Sequence, residues 1–376
     1  MVVSVKELDG IELGSEFSCM CGVRHAVRLS EILVARLLED FEGVLQIGVG
    51  GDRPVLLVTG PKTRNILGER VARLLEAQGY SVVIREVAKC DLASCAELET
   101  VARECKLALA VGGGSVIDAC KLASHNAGVP FISMPTTISH DGVASPIASV
   151  FIGGGRRASI VATPPVKVVF ITEVVRSSPP RHLSAGCGDI LAKNTSLMDW
   201  LLGAELKGEY FCDTTFEVVR SALREVLAYI EDSRREIERL FYAAVRCGLA
   251  MGLVSSSRPC SGAEHLFSHY IDLLSDGVGM HGEQVGIGAI LMAKRYEDVE
   301  APHAGRLEVG SDGLRNYLER AGAPTRLRQI RVATETALRA LLEGAHLRLE
   351  RYTILHHAPL TRSSAAELLR VTGVSG

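Results

Sequence analysis

Two histidines four residues apart, His265 and His269 in SGAEHLFSHYID, fall on one face of any helix that carries them. Imidazoles so placed can hold a metal ion, and they serve equally well as hydrogen-bonded core residues. A third, His281 in GMHGEQVGIG, stands between Gly279 and Gly282 at the mouth of an apolar helix, a position that suits a ligand on a tight turn. Asp189 follows Gly186 and Gly188 in AGCGDILAKN, where the spacing predicts a helix start and the helix dipole gives an acid a local reason to exist. Lys193, four residues on, reaches the same face. Three nitrogen and oxygen ligands with an open fourth position describe catalytic zinc, which polarises a carbonyl or alkoxide oxygen; an aspartate with two histidines also accepts iron or nickel.

A second constellation lies earlier in the chain. Gly112-Gly113-Gly114-Ser115-Val116-Ile117-Asp118 follows a buried-type strand and opens a helix. Glycines let the main chain approach a ligand, and a helix N-terminus offers N–H groups and a positive dipole end to a pyrophosphate. The spacing matches neither the Rossmann fingerprint nor the Walker loop, so a glycine-rich turn with Asp118 and Lys121 as a helix-surface pair is the alternative. In PTTISHDGVAS, which leaves the next strand, the hydroxyls of Thr136, Thr137, Ser139 and Ser145 can bond phosphate or amide groups and Asp141 can hold a substrate hydroxyl. The same residues would also make an ordinary loop of side-chain turns.

Elements must carry these groups. The runs PVLLVTG (54–60), YSVVIREV (80–87), LALAVGGG (107–114) and PFISMPTT (130–137) alternate with helical patterns over 63–78, 96–105 and from Ser115, which predicts βαβ units and a parallel sheet. Ligands of open α/β sheets bind at the carboxyl edge of the strands, where Gly60 and Gly112 to Gly114 stand. Beyond the breaker cluster Ser177-Ser178-Pro179-Pro180 long helical periodicity takes over: 189–202, 216–229, 234–253, 263–274, 284–296, 314–321, 335–343 and 364–369. The expected fold is an α/β dinucleotide-binding domain over 1–178 and an all-α domain over 179–376 that carries metal and substrate.

Composition agrees with small-molecule work. The 376 residues hold 41 Lys+Arg against 44 Asp+Glu, with no basic block, which argues against nucleic acid or an anionic membrane as the main partner. Aromatic residues are only 5%, too few for stacking platforms, while 37 glycines favour tight main-chain turns. Lys6, Glu7 and Asp9 interrupt any signal-peptide core, and no uncharged run is apolar enough to span a bilayer; the protein is expected in the cytoplasm. The ten cysteines form no recurrent CxxC pairs and read as buried small residues, with Cys19 and Cys21 the pair to examine first. Apolar helix faces in the second half suit a homo-oligomer as well as a core.

Together GGGSVIDACK, PTTISHDGVASP, AGCGDILAKNTSLMDW, SGAEHLFSHYID and HGEQVGIG resemble the archaeal sn-glycerol-1-phosphate dehydrogenase family, within the glycerol dehydrogenase and dehydroquinate synthase superfamily. The match spans roughly residues 50–300. The resemblance implies a dehydroquinate synthase-like fold, with a dinucleotide domain, a helical domain and a metal-containing cleft. By it Asp189, His265 and His281 are metal ligands, zinc ahead of iron or nickel, and Asp141, Asp189 and His269 surround the substrate. His269 thereby moves from ligand to neighbour, with Asp189 and His269 the catalytic pair. The same resemblance puts Gly114, Ser115, Val116, Ile117, Asp118, Thr136, Thr137, Ile138, Ser139 and Ser145 on NAD or NADP. The strand that ends at Thr59-Gly60 lacks the acid typical of glycerol dehydrogenases, which admits a 2′-phosphate, with Lys62 or Arg64 to meet it. The implied reaction is reversible reduction of dihydroxyacetone phosphate to sn-glycerol 1-phosphate for ether lipids. Lys193 is either a cation for the substrate phosphate or a solvated helix pair. The rivals are a polyol dehydrogenase on unphosphorylated glycerol and a non-catalytic nucleotide-binding protein.

Overall fold

The structure is a computed structural model that describes residues 1–42, 52–153, 156–275 and 278–375. The chain divides into two compact units. The first comprises Met1–Ile152, Ala158–Pro179 and Ala244–Ser256, and the second Gly153–Arg157, Pro180–Ala243 and Ser257–Gly376.

The first unit is built on a seven-stranded sheet ordered Val3–Val5, Glu31–Ala35, Lys167–Ile171, Phe131–Pro135, Leu107–Gly112, Val55–Thr59 and Val82–Glu86. Six strands run parallel, and Val3–Val5 pairs antiparallel with Glu31–Ala35 at the edge. The four strands expected between residues 54 and 137 are present. Val3–Val5 and Glu31–Ala35 were not read from the sequence: both stand before the helical alternation begins, and Val3–Val5 has only three residues. Alternate strand residues Val55 and Leu57, Leu107 and Leu109, Ile132 and Met134, and Val169 and Ile171 pack with Leu67, Val71 and Leu75 in one core. The last three recur every four residues and so form one helical stripe. Full burial of such a side chain contributes about 1.5–3 kcal/mol.

Chain direction decides where a ligand can enter. From Val55–Thr59 the chain crosses to Val82–Glu86 on one side, whereas from Leu107–Gly112 it crosses to Phe131–Pro135 on the other. These two adjacent strands form the topological switch point, and their carboxyl ends are Gly60 and Gly112 to Gly114.

The sequence alternative of a surface pair for Asp118 and Lys121 fails because both are buried, Lys121 completely. Lys121 Nζ donates to Asp118 Oδ1 (2.8 Å), Gly142 O (3.1 Å), Ser145 Oγ (3.4 Å) and Ile147 O (2.7 Å), while Asp118 Oδ2 accepts from Ser149 N–H (3.1 Å). The ammonium thus fastens the segment from Gly142 to Ile147, and the carboxylate Ser149, onto the helix Gly114–Ala127.

The second unit is helical. Its main helices are Pro180–Leu191, Lys193–Lys207, Asp213–Glu231, Ala263–Leu274, His281–Asp298, Ser311–Ala321, Thr334–Glu343 and Arg362–Val371. The single helix expected over 189–202 is two, separated at Ala192. Among the described residues no helix is long and apolar enough to cross a membrane.

Lys121→Ala leaves the Asp118 carboxylate buried without its cation, and equilibrium unfolding of that variant is expected to show a loss of about 3–5 kcal/mol. A loss below about 1 kcal/mol would mean the ammonium is not holding the segment.

Candidate functional site

Asp189, His265 and His281 come together in the second unit, their ligating atoms all within 4.8 Å of one another. His265 is the third residue of Ala263–Leu274 and His281 is the first residue of His281–Asp298. Asp189 is placed differently from the sequence reading. Its helix starts at Pro180, so the acid stands in the last turn of Pro180–Leu191, where the dipole opposes it. Gly186 and Gly188, which that reading set ahead of the helix, lie inside it.

Close packing explains Gly188. A Cβ on Gly188 would lie 2.4 Å from Gly282 O, and one on Gly282 would lie 1.9 Å from Ala185 O. Without side chains at 188 and 282 the helices Pro180–Leu191 and His281–Asp298 touch backbone to backbone, which carries the aspartate to the histidine.

The electrostatics follow from burial. Asp189 has no exposure. Loss of water would raise its pKa, but the Lys193 ammonium, 3.0 Å from Oδ1, and the two imidazoles outweigh that and hold the carboxyl well below the usual range. Lys193 is itself fully buried, so the pair exists but is not the solvated one the sequence suggested.

Hydrogen bonds settle which ring nitrogen faces the centre. His265 Nδ1 lies 2.8 Å from Glu264 Oε1, and Glu264 is further held by Thr195 Oγ1 (2.8 Å) and Gly262 N–H (2.7 Å). Burial would raise the Glu264 pKa, but the His265 contact outweighs it and holds the carboxyl low and ionised. A carboxylate only accepts, so His265 Nδ1 carries the proton. Ser268 Oγ donates to Gln284 Oε1 (2.6 Å) and therefore accepts from His281 Nδ1 (3.3 Å). Gln284 is fixed in turn by Asp272 Oδ1 (2.9 Å) and Val278 O (2.7 Å).

In the neutral rings both Nε2 lone pairs then point at Asp189 Oδ1, at 3.7 Å for His265 and 4.0 Å for His281. Three acceptors facing one another repel unless a cation sits among them. Without one, a ring must take a proton: burial would lower the His265 pKa, but Asp189 and Glu264 raise it above its ordinary value. The donor set fits a divalent transition metal whose histidines are oriented by further hydrogen bonds.

His269 is the neighbour. Its ring lies 5.9 Å from His281, nearly parallel at 20°, and 6.3 Å from His265. Its Nδ1 is buried and makes no hydrogen bond among the described residues. Burial first, then the charges of His281, Arg348, His265 and Arg351, hold its pKa well below the usual value, so the ring is neutral.

The coenzyme residues read from the sequence lie in the first unit, grouped by the sheet's carboxyl edge. Ser115 is exposed at the first turn of Gly114–Ala127, whose N-terminus has no side-chain cap. The N–H groups of Val116 and Ile117 donate to Gly113 O (3.0 and 3.1 Å), which leaves those of Gly114 and Ser115 to suit a pyrophosphate. The side chains of Val116, Ile117, Asp118 and Ile138 are buried, so anything they offer a ligand comes through the main chain. Thr137 Oγ1 meets Ser178 Oγ (3.3 Å), Thr136 is buried, and Ser139 is half-buried. Ser145 Oγ bonds Ile147 O (3.2 Å) as well as Lys121. Asp141 opens the short helix Asp141–Val143, half-buried. At Gly114 a Cβ would fall 1.8 Å from His140 Nε2, so the protein's own imidazole uses the room that glycine leaves. Arg64 is engaged by Glu86 (2.7 Å) and Glu69 (3.1 Å), whereas Lys62 is exposed and makes no ion pair among the described residues.

Glu264, Ser268, Gln284 and the glycine pair were missed as functional residues. The one available signal was the glutamate directly before a histidine of the pair.

The iron-containing alcohol dehydrogenase family model matches residues 38–179. Glycerol-1-phosphate dehydrogenase (NAD(P)+) of Pyrococcus furiosus is 40% identical over 329 residues, covering 85% of this chain and 91% of that protein. The enzyme of the same name from Pyrococcus horikoshii is 38% identical over 355 residues, covering 91% and 97%. Among solved structures, glycerol dehydrogenase from Schizosaccharomyces pombe superposes with a TM-score of 0.67 at 16% identity, over 86% of this chain and 83% of that one, a likeness of fold.

Gly282→Ala drives a methyl group into the Ala185 carbonyl, and such overpacking costs about 1–3 kcal/mol. Chemical denaturation is expected to show that loss, and a variant as stable as the parent would mean the two helices are not pressed together there.

Proposed function

This chain belongs to the glycerol-1-phosphate dehydrogenase family, and from that premise we propose that it reduces dihydroxyacetone phosphate reversibly to sn-glycerol 1-phosphate with NADH or NADPH, using one divalent metal ion, zinc first among the candidates. Relatives 36–40% identical over most of their length carry the reaction. The observation that carries the metal is the pair of imidazole lone pairs turned toward one buried carboxylate oxygen. Glycerol dehydrogenase is the weaker reading, since its structural likeness is one of fold.

When bound, the coenzyme supplies the hydride and the cation supplies the Lewis acidity that draws charge onto the C2 oxygen. The chain's own part is positional. Asp189, His265 and His281 hold the cation, with Glu264 and Ser268 locking the two rings by their Nδ1 atoms. In the helical unit His269 holds a substrate hydroxyl. The neutral His269 ring, or water ordered by it, passes the proton that the C2 oxygen gains on reduction. The uncapped helix N-terminus at Gly114 and Ser115 takes the pyrophosphate, with Thr136, Thr137, Ser139 and Ser145 alongside. Exposed Lys62 is freer than Arg64 to meet a 2′-phosphate. We propose that the protein acts in the cytoplasm, as a homo-oligomer assembled through apolar helix faces of its second half.

The substrate phosphate needs a cation, and Lys193 is committed to Asp189. Arg348 is half-buried and its guanidinium makes no hydrogen bond or ion pair among the described residues. Among the described residues the Arg351 guanidinium bonds only the neutral acceptors Ser261 O (2.8 Å) and Ser257 Oγ (3.0 Å). Burial, with the charge of Arg348 next, pushes the Arg351 pKa down to about 9. Two guanidiniums whose charges reach His269 and that make no ion pair among the described residues suit an arriving dianion. Arg348 is assigned to the phosphate.

His281→Ala should lose one equivalent of divalent metal and the activity together; elemental analysis showing full occupancy would remove it from the ligands. Arg348→Ala should lower kcat/KM for dihydroxyacetone phosphate by about tenfold or more, the loss of a charge-assisted contact, and leave unphosphorylated dihydroxyacetone unaffected. Equal kcat/KM for the two ketones in the parent enzyme would overturn the phosphate reading and favour the polyol dehydrogenase.

A further inference from the structure

The first unit carries a cluster for which the dehydrogenase reaction has no use. Glu16–Ser18 and Arg24–Ala26 pair antiparallel in the register Glu16 with Ala26, Phe17 with His25 and Ser18 with Arg24. Between them the chain reverses through a turn in which Cys19 N–H donates to Val23 O and Gly22 N–H to Cys19 O, each 3.0 Å. Gly22 has φ +84°, a conformation that admits little else. Met20 at the tip stands fully in solvent, while Cys19 and Cys21 on either side of it are half-buried.

His25 completes the group. The sulfurs of Cys19 and Cys21 and a ring nitrogen of His25 all lie within 4.8 Å of one another, with Cys21 Sγ 3.3 Å from His25 Nε2. His25 is 1% exposed, and its Nδ1 lies 2.8 Å from the carbonyl oxygen of Leu253. A carbonyl can only accept, so Nδ1 carries the ring proton and the neutral ring turns the Nε2 lone pair toward the cysteines. That is the arrangement of a metal-binding histidine fixed by a backbone acceptor behind it.

We propose that Cys19, Cys21 and His25 form a second, structural site for a divalent transition metal, zinc by its donor set. Two sulfurs and an imidazole select zinc over magnesium or calcium, and bond lengths of about 2.3 Å to sulfur and 2.0 Å to nitrogen need only a small contraction of the cluster. The cysteines bind as thiolates, so two protons pass to solvent as the ion enters and no electron moves. One coordination position is left for a further donor. The ion gives this turn a reason to exist: strands of three residues make a marginal hairpin, and a metal that ties the turn to the buried ring holds it closed.

The test uses the full chain purified with zinc and measured by elemental analysis. The parent is expected to hold two equivalents, and Cys19→Ser/Cys21→Ser one, with dehydrogenase activity retained and a lower Tm. His281→Ala is expected to keep the hairpin equivalent, which separates this site from the catalytic one. Protein reconstituted with cobalt should show a near-ultraviolet thiolate-to-cobalt absorption that the cysteine variant lacks, and this spectrum decides the matter on the parent alone if the variant fails to fold. A parent without that band, metal content unchanged by the double substitution, or thiol titration showing Cys19 joined to Cys21 as a disulfide would each overturn the proposal.

Discussion

Everything in the helical unit is arranged around one carboxylate that no water reaches. A charge taken out of solvent costs several kcal/mol unless its surroundings replace the lost hydration, and Asp189 obtains that replacement from Lys193 and two imidazoles. The same need shapes the helices. A carboxylate in the last turn of a helix has the dipole against it, so its stabilisation must come from other elements brought very near. Two glycines, 188 and 282, make that nearness possible by leaving backbone against backbone.

A further layer decides direction. Glu264 and Ser268 fix which nitrogen of each ring looks inward, and Gln284, held by Asp272, fixes Ser268. Asp199 anchors the whole assembly from behind. It accepts hydrogen bonds from Ala263 N–H (2.6 Å), Tyr296 OH (2.7 Å) and Ile354 N–H (2.7 Å), joining the start of the His265 helix to the far part of the His281 helix. Burial, reinforced by Glu264, pushes the Asp199 pKa up to about 7, although three donors converge on it. The ligands are thereby positioned by groups at the helix ends.

Sequence showed what repeats locally and hid what is made by distance. The four strands between 54 and 137 announced themselves by apolar runs bounded by glycine, and the helix Ala263–Leu274 by its period. His265 and His269 were visible because four residues make one helical turn. The helix was begun at Asp189 although it already contains glycines 186 and 188, since a glycine that permits packing, as Gly188 does, and one ahead of a helix look alike in a string. Lys121 and Asp118 looked like a solvated pair because spacing cannot report burial. Glu264, Ser268 and Gln284 have ordinary local surroundings, and their meaning comes from partners on other elements. The edge strand Val3–Val5 is too short to be distinctive, and Glu31–Ala35 stands before the strand-helix alternation that marked the others.

The strand order has a consequence for how the molecule is made. Lys167–Ile171 lies between Glu31–Ala35 and Phe131–Pro135, so it enters the sheet as a wedge between partners synthesised well before it. Until it emerges from the ribosome, Glu31–Ala35 presents one bare flank of N–H and C=O groups, buried-type residues included, to whatever else is nearby. Nascent chains truncated before Val168 therefore have a sticky seam where the finished protein has its centre, and the opening stretch of the polypeptide must wait for the middle before it can settle.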